Sequence, residues 1–278
     1  MTALGAVFRP QLPPERLRSV VEAADSAGLE QLWLWEDCFL ESGIATAATA
    51  LAWSSRLKVG VGLLPVPLRN VALAAMETAT LHRLFPDRVI IGVGHGVQDW
   101  MGQVGARAES PLRLLREYLF ALRALLRGER VTVSGKYVQL DGVALDWPPT
   151  SPAPVLAGGV GPKTIKLTGE AADGTIIDSV TSPDGLRAAM ELIAEGGGSP
   201  DHEIVAYLLT ATGEGAQERL DAEFKGHGVA GDAHAVAAAV EALAEAGAHT
   251  VVLQPTASEP DPEAFVRFAA EQVRPLVG

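Results

Sequence analysis

Short runs of apolar, often β-branched residues recur along the chain, bounded by turn residues and alternating with Ala-, Leu- and Glu-rich stretches of helical period. Eight such runs predict strands: Leu4–Phe8, Gln31–Trp35, Lys58–Leu64, Arg88–Val93, Ala153–Ala157, Thr175–Asp178, Glu203–Thr210 and His249–Gln254. Helices are predicted between most of them, at Glu15–Ala27, Val71–Leu84, Pro111–Arg127, Lys163–Ala171, Pro183–Ala194 and Ala233–Ala246, with Pro262–Val273 closing the chain and an alanine-rich stretch at Ile44–Trp53. Several strand runs are apolar at nearly every position, as a parallel sheet covered on both faces requires. Eight βα units in a chain of 278 residues fit a (β/α)₈ TIM barrel, whose typical length is roughly 250 residues. The exception to the alternation is Glu129–Asp146, where VTVSGKYVQL reads as a hairpin turning at Ser134–Gly135, inserted between the fourth helix and the fifth strand. Pro148, Pro149, Pro152 and Pro154 directly precede a strand and read as a stiffened loop, so a single domain over residues 1–278 is expected. The glycines at 196–198 and the stretch 226–231 read as surface loops.

Composition narrows the function. Twenty-two Lys and Arg stand against 34 Asp and Glu, a net charge of −12, which disfavours nucleic-acid backbones and anionic membrane surfaces as partners. At 48% hydrophobic residues the chain can bury a large core. Cys38 is the one cysteine, so neither an intramolecular disulfide nor a multi-cysteine metal cluster is possible. The N-terminal stretch MTALGAVFRPQLPPER breaks its apolar run at Arg9 and Pro13–Pro14, short of a signal-peptide core. The expected localisation is cytoplasmic.

In a barrel of this kind, chemistry gathers at the C-terminal ends of the strands. There the chain reads Trp35-Glu36-Asp37-Cys38, Gly62-Leu63-Leu64-Pro65, Gly92-Val93-Gly94-His95-Gly96 and Ala157-Gly158-Gly159-Val160-Gly161-Pro162-Lys163. Glycine-rich endings let a flat ligand approach the backbone, and the last leads into a helix N-terminus whose free N–H groups suit a phosphate. GGVGPKT lacks the spacing of a Walker loop, and GVGHG is not the dinucleotide fingerprint. G-x-S-x-G and H-E-x-x-H are absent, and the histidines at 82, 95, 202, 227, 234 and 249 show no helical metal-ligand spacing, so no metal site is expected. Trp100 and Met101 could cover a substrate or belong to the core, and Glu36 reads as a paired or solvated carboxylate.

LWLWEDCF, LLPVPLRN, LFPDRVIIGVGHG, LLRGERVTVSGKYVQL and VLAGGVGPKTIKLTGEAADG, in this order and spacing, resemble the luciferase-like flavin and deazaflavin oxidoreductases, especially the branch using coenzyme F420. The resemblance implies a luciferase-like barrel, usually dimeric, with the ring at the strand C-termini and its phosphate near the fifth and sixth units. It implies an acidic contact from Asp37, a cofactor contact from Cys38, and a non-proline cis peptide at Gly62–Leu63 with Leu64 and Pro65 beside it. It further implies a ring border at Gly94, His95, Gly96 and Val97, and a phosphate end at Gly158, Gly159, Val160, Gly161, Pro162 and Lys163.

The chain also departs from the pattern. In the sugar-phosphate dehydrogenases it resembles, His stands at the position of Cys38 and Glu at that of Val97, so glucose 6-phosphate is not the expected substrate. His95 or Cys38 would then handle any proton. The resemblance leaves three readings: F420-dependent hydride transfer with an unidentified small organic substrate, an FMN-dependent monooxygenase, or a non-catalytic flavin or deazaflavin carrier. Ile44–Trp53 and Val71–Leu84, being alanine-rich, suit either packing onto the barrel or a homodimer interface.

Overall fold

A computed structural model describes residues 2–278. In chain order the elements are β1 (Ala3–Val7), α1 (Leu17–Ala27), β2 (Gln31–Leu34), α2 (Gly43–Trp53), β3 (Lys58–Pro65), α3 (Val71–Leu84), β4 (Val89–Gly94), α4 (Gln98–Gln103) and α5 (Pro111–Leu126). They continue with β5 (Val131–Ser134), β6 (Gln139–Val143), β7 (Val155–Gly158), α6 (Pro162–Ala171), β8 (Gly174–Ile177), α7 (Pro183–Glu195) and β9 (Glu203–Ala211), then α8 (Ala216–Phe224), β10 (Val229–Ala230), α9 (Ala233–Glu245), β11 (Thr250–Pro255) and α10 (Pro262–Arg267). Strands β1, β2, β3, β4, β7, β8, β9 and β11 pair in that order, all parallel, and β11 returns to β1 through Ala3↔Thr250 and Leu4↔Val251, closing an eight-stranded (β/α)₈ barrel. All eight predicted strand runs are barrel staves, within a residue or two at each end.

Each strand sends alternate side chains inward and outward. Val7, Trp33, Leu156, Ile176, Val205, Tyr207 and Val252 fill the barrel, while Leu4, Leu32, Leu34, Val59, Val61, Ile91 and Val251 meet the helices outside. This double burial is why the strand runs read as almost unbroken apolar sequence. The predicted hairpin is β5–β6, antiparallel through Ser134↔Gln139 and Val131↔Val143. Its turn is held by the Glu117 carboxylate of α5, which accepts from the backbone N–H groups of Lys136, Tyr137 and Val138.

Four elements differ from expectation. The stretch 226–231 is not wholly loop, because Val229–Ala230 pairs with Thr210 and Ala211 of β9. Helix α8 carries only Ala216 and Leu220 as buried residues, too thin an apolar face to announce itself by period. Helix α4 spans six residues. The predicted closing helix is α10 followed by a π-helical turn, Phe268–Val273.

Candidate active site

The floor of the barrel mouth is aromatic. Trp33 and Trp35 each meet the Tyr207 ring edge-on with centroids 5.9 Å apart. The Tyr207 hydroxyl donates to the Gly62 carbonyl at 3.2 Å; burial pushes its ionisation well above the ordinary phenol range. Glycines make the space for these rings. A Cβ on Gly60 would lie 2.5 Å from Trp33, and one on Gly62 would lie 2.3 Å from the Tyr207 hydroxyl.

Above this floor β3 is irregular. Val61 pairs with Ile91 but Leu64 with Val93, so β3 carries one extra residue there, and the Gly62–Leu63 peptide is cis. The bulge separates two leucines. Leu64 is fully buried on the outer face, 3.0 Å from where a Cβ of Gly43 would lie. Leu63 points into the mouth, its Cδ atoms 2.7 Å from a Cβ built on Gly94 and 2.8 Å from one built on Gly158. Gly94 and Gly158, expected to admit a ligand to the backbone, therefore make room first for the Leu63 side chain, which becomes the platform between them.

One side of that platform is the β4–α4 loop. His95 Nδ1–H donates to the Gly96 carbonyl at 3.2 Å, which in the neutral ring leaves Nε2 as an acceptor. Gln98 donates to the His95 carbonyl at 3.0 Å, steadying the same turn. Gly96 adopts a φ of +69° with Pro65 and Met101 packed beneath it. Met101 is core, Trp100 is half-buried, and Val97 is exposed at the start of α4.

The β2–α2 loop supplies the acids. Burial raises the Asp37 carboxyl above the usual carboxylate range, with Arg9 and a hydrogen bond to Gln11 pulling it partly back. Burial, then the charges of Glu36 and Asp37, push the Cys38 thiol up, so it stays protonated at neutral pH. Glu36 is a paired carboxylate: it grips Arg69, which also meets Glu77 at 3.2 Å, and accepts from the Gly43 N–H at 2.8 Å. It fixes the loop to α2 and α3 and faces away from the mouth chemistry.

At the far side, Gly159 has no room for a side chain, since a Cβ would lie 2.4 Å from Thr164. Gly161 precedes α6 with open space around it, and Pro162 occupies the first turn. Gly159, Val160 and Pro162 share a cleft of about 370 Å³ with Asp178, Thr181 and Ser182 of the β8–α7 loop. Lys163 instead lines a separate groove of about 550 Å³ with Arg113, Arg116 and Lys166 on α5 and α6. Asp37, Leu63, Gly94, His95, Gly96 and Gly158 thus gather at the mouth; Leu64 and Lys163 point elsewhere.

Sequence reasoning missed Arg9, Tyr207, Glu223 and Glu41. Arg9 carried a readable signal, an ion two residues past an apolar strand and in the inward register of Gly5 and Val7. Glu223 carried none, because α8 itself was not legible. The cleft fits a flat cofactor with an anionic tail: a backbone platform at Leu63, glycines where a side chain would intrude, and a ten-residue helix whose N-terminus opens beside Gly161. Among the described residues no three His, Cys, Asp or Glu side chains are placed to hold one metal ion, and no helix is long and apolar enough to cross a membrane.

A parallel (β/α)₈ barrel with a bulged third strand under a glycine-lined mouth puts the candidate site at the C-terminal ends of the strands. Residues 4–246 match the sequence model of the luciferase-like monooxygenases, and the chain belongs to that family. It is 28% identical over 193 residues to the 5,10-methylenetetrahydromethanopterin reductase of Methanolobus tindarius, across 69% of this chain and 58% of that one. It is 30% identical over 181 residues to an F420-dependent glucose-6-phosphate dehydrogenase of Kineococcus radiotolerans, across 61% and 54%. The matched stretch is little more than half the length of these relatives. The solved coenzyme F420 dependent tetrahydromethanopterin reductase of Methanopyrus kandleri superposes with a TM-score of 0.84 at 22% identity, covering 100% of this chain and 99% of that one; it shares the fold.

Proposed function

We propose that the protein is an F420-dependent oxidoreductase transferring a hydride between deazaflavin C5 and a small organic substrate. The observation that carries this reading is the Leu63 platform between Gly94 and Gly158, with Asp37 and His95 on one side and the opening of α6 on the other. The F420 dependence named for its relatives supports it. When bound, the deazaflavin supplies a two-electron carrier at C5.

The chain's own part is to hold, orient and protonate. Leu63 and the glycines fix one ring face. The Asp37 carboxyl, raised by burial, presents a hydrogen bond at the ring edge. Gly158, Gly159, Val160, Gly161 and Pro162 offer backbone to the phosphate. His95 Nε2 takes a proton from a substrate hydroxyl as its hydride leaves, or returns one from the imidazolium in reverse. Cys38, with its thiol pushed up, is the weaker candidate.

Equilibrium titration of the protein with F420 and with FMN tests the assignment. Tight F420 binding with weak FMN binding is expected; preference for FMN moves the luciferase-like monooxygenase reading to first place, and binding of neither overturns both. Once a substrate is in hand, His95→Ala should lower turnover by roughly 10²–10⁴-fold with F420 affinity retained. Unchanged turnover would remove His95 from the chemistry.

The protein is further proposed to work as a homodimer in the cytoplasm. Leu73, Met76 and Leu84 are exposed on one stripe of α3.

A further inference from the structure

The barrel mouth has one inward guanidinium, and it is engaged. Arg9 Nη1 donates to Glu223 at 2.5 Å and to the Pro255 carbonyl at 3.0 Å, and its Nε donates to Gln11 at 3.2 Å. The guanidinium carbon lies 5.4 Å above the Trp35 ring. The second oxygen of Glu223 accepts from the Ala257 N–H at 2.6 Å. Arg9 and Glu223 are 12% and 15% exposed, so the pair is a mostly desolvated, neutral clamp joining β1, α8 and the loop after β11.

The other cations on the loops at this end are committed or remote. Arg69 is held by Glu36 and Glu77, Arg107 by Asp99, and Arg16 by Glu263. Lys163 lines the outer groove, and Lys225 is exposed beyond the end of α8. Carboxylates are plentiful by comparison. Asp37 sits in the mouth near Arg9, Asp178 accepts from the Thr181 hydroxyl at the neighbouring cleft, and Glu41 follows on the loop after β2. The remaining rim is apolar: Phe39, Leu40, Val97 and Val160 are 62%, 50%, 48% and 78% exposed.

We infer that the substrate half of the mouth takes an uncharged, largely apolar molecule and rejects carboxylates and phosphates, with the Arg9–Glu223 pair as its specificity determinant. An entering anion has two options. It can displace Glu223 from Arg9 and leave a mostly buried carboxylate unpaired, or it can settle among Asp37, His95 and the apolar rim with no Lys or Arg of its own; both are costly. A neutral molecule meets Trp35 and the rim without either penalty. The inference rests on the functional reading above, which places cofactor and substrate together in this mouth.

The test uses protein loaded with F420 and a size-matched pair of probes, cyclohexanone and cyclohexanecarboxylate, each titrated against the fluorescence of the bound cofactor. Failure of F420 to bind overturns the functional reading itself and is seen before either probe is added. With F420 bound, cyclohexanone should bind at least about ten-fold more tightly than the carboxylate. Glu223→Gln, which frees the Arg9 charge, should shrink or reverse that ratio by about ten-fold. Equal or tighter binding of the carboxylate to the native protein overturns the inference, as does no response to either probe. An unchanged ratio in a Glu223→Gln protein that melts like the native one also overturns it. If that variant does not fold, Arg9→Gln together with Glu223→Gln replaces the pair by neutral groups. That protein should keep the preference for cyclohexanone, and its loss would overturn the neutral-mouth reading.

Discussion

The Leu63 side chain occupies the space that a Cβ on Gly158 would need, with Cδ2 2.8 Å from that position. The colliding atoms are the end of a flexible side chain, so Gly158→Ala leaves the barrel folded and displaces Leu63 into the open mouth above it. The expected outcome is a loss of F420 affinity of about ten-fold or more, equivalent to at least about 1.4 kcal/mol, with little change in melting temperature. Adding Leu63→Ala should restore part of the affinity. A Gly158→Ala protein that binds F420 like the native one removes Leu63 from the cofactor platform.

Tyr207 ties the aromatic floor to the bulge through Gly62. Tyr207→Phe removes a buried hydroxyl that donates to the Gly62 carbonyl. The Gly62 carbonyl loses a partner at a buried site, a cost of about 1–3 kcal/mol. At roughly 2–4 °C per kcal/mol for a large domain, the melting temperature should fall by several degrees. Because burial holds the native phenol above its ordinary ionisation range, the decrement should be the same at pH 6 and pH 9. A decrement that changes between those pH values would contradict this placement of the hydroxyl.

The barrel was legible because burial on both faces of a parallel strand writes an apolar run, and all eight runs are staves. Helix α8 was not, because AQERLDAEF buries only Ala216 and Leu220 and follows Gly213 and Gly215, both at positive φ, so its local sequence reads as loop. With α8 hidden, the partner of Arg9 was hidden too: 214 residues separate it from Glu223, and no spacing rule joins an inward strand residue to a helix that late in the chain. The glycines marked the right place for a different reason. Gly94 and Gly158 were read as access for a ligand, whereas the space belongs to Leu63, turned inward by an extra residue in β3 that no local pattern in KVGVGLLP reveals. Lys163 was placed at the phosphate end by its match to the family pattern, but a helix turns by about 100° per residue, and its position on α6 puts it in the groove facing α5.

Glu41 makes the stability of the protein depend on pH near neutrality. Burial, then the nearby charge of Glu15, push its carboxyl from 4.5 up to about 7, and Oε1 is buried with no hydrogen-bond partner among the described residues. The folded state holds this proton more tightly than the unfolded chain. Its contribution is therefore fully present below about pH 4.5, declines as pH rises towards 7, and is lost above that. The side chain is partly exposed, so solvent screening reduces the effect to about 1 kcal/mol. Glu41→Gln should melt within a degree or so of the native protein at pH 4.5 and roughly 2–4 °C higher at pH 8. A difference that does not grow with pH would show that Glu41 does not titrate in this window.

Helix α3 presents Leu73, Met76, Thr80 and Leu84 to solvent at spacings of three, four and four residues, one continuous stripe. Its opposite face, with Val71, Ala74, Ala75, Thr78 and Ala79, is buried against the barrel. The outer stripe is therefore not needed to hold α3 in place, yet it is apolar where a solvated helix is expected to be charged. A second copy packed across this face buries the stripe on both partners at once, as a two-fold interface does. Met76, 57% exposed, is the position to test, because a carboxylate there meets its own kind across the symmetry axis and faces solvent in the monomer. Met76→Glu should convert a dimer to a monomer in light scattering coupled to size exclusion, with the melting profile of the barrel intact. A native protein that runs as a monomer at micromolar concentration, or a Met76→Glu dimer of unchanged affinity, would assign this face to solvent.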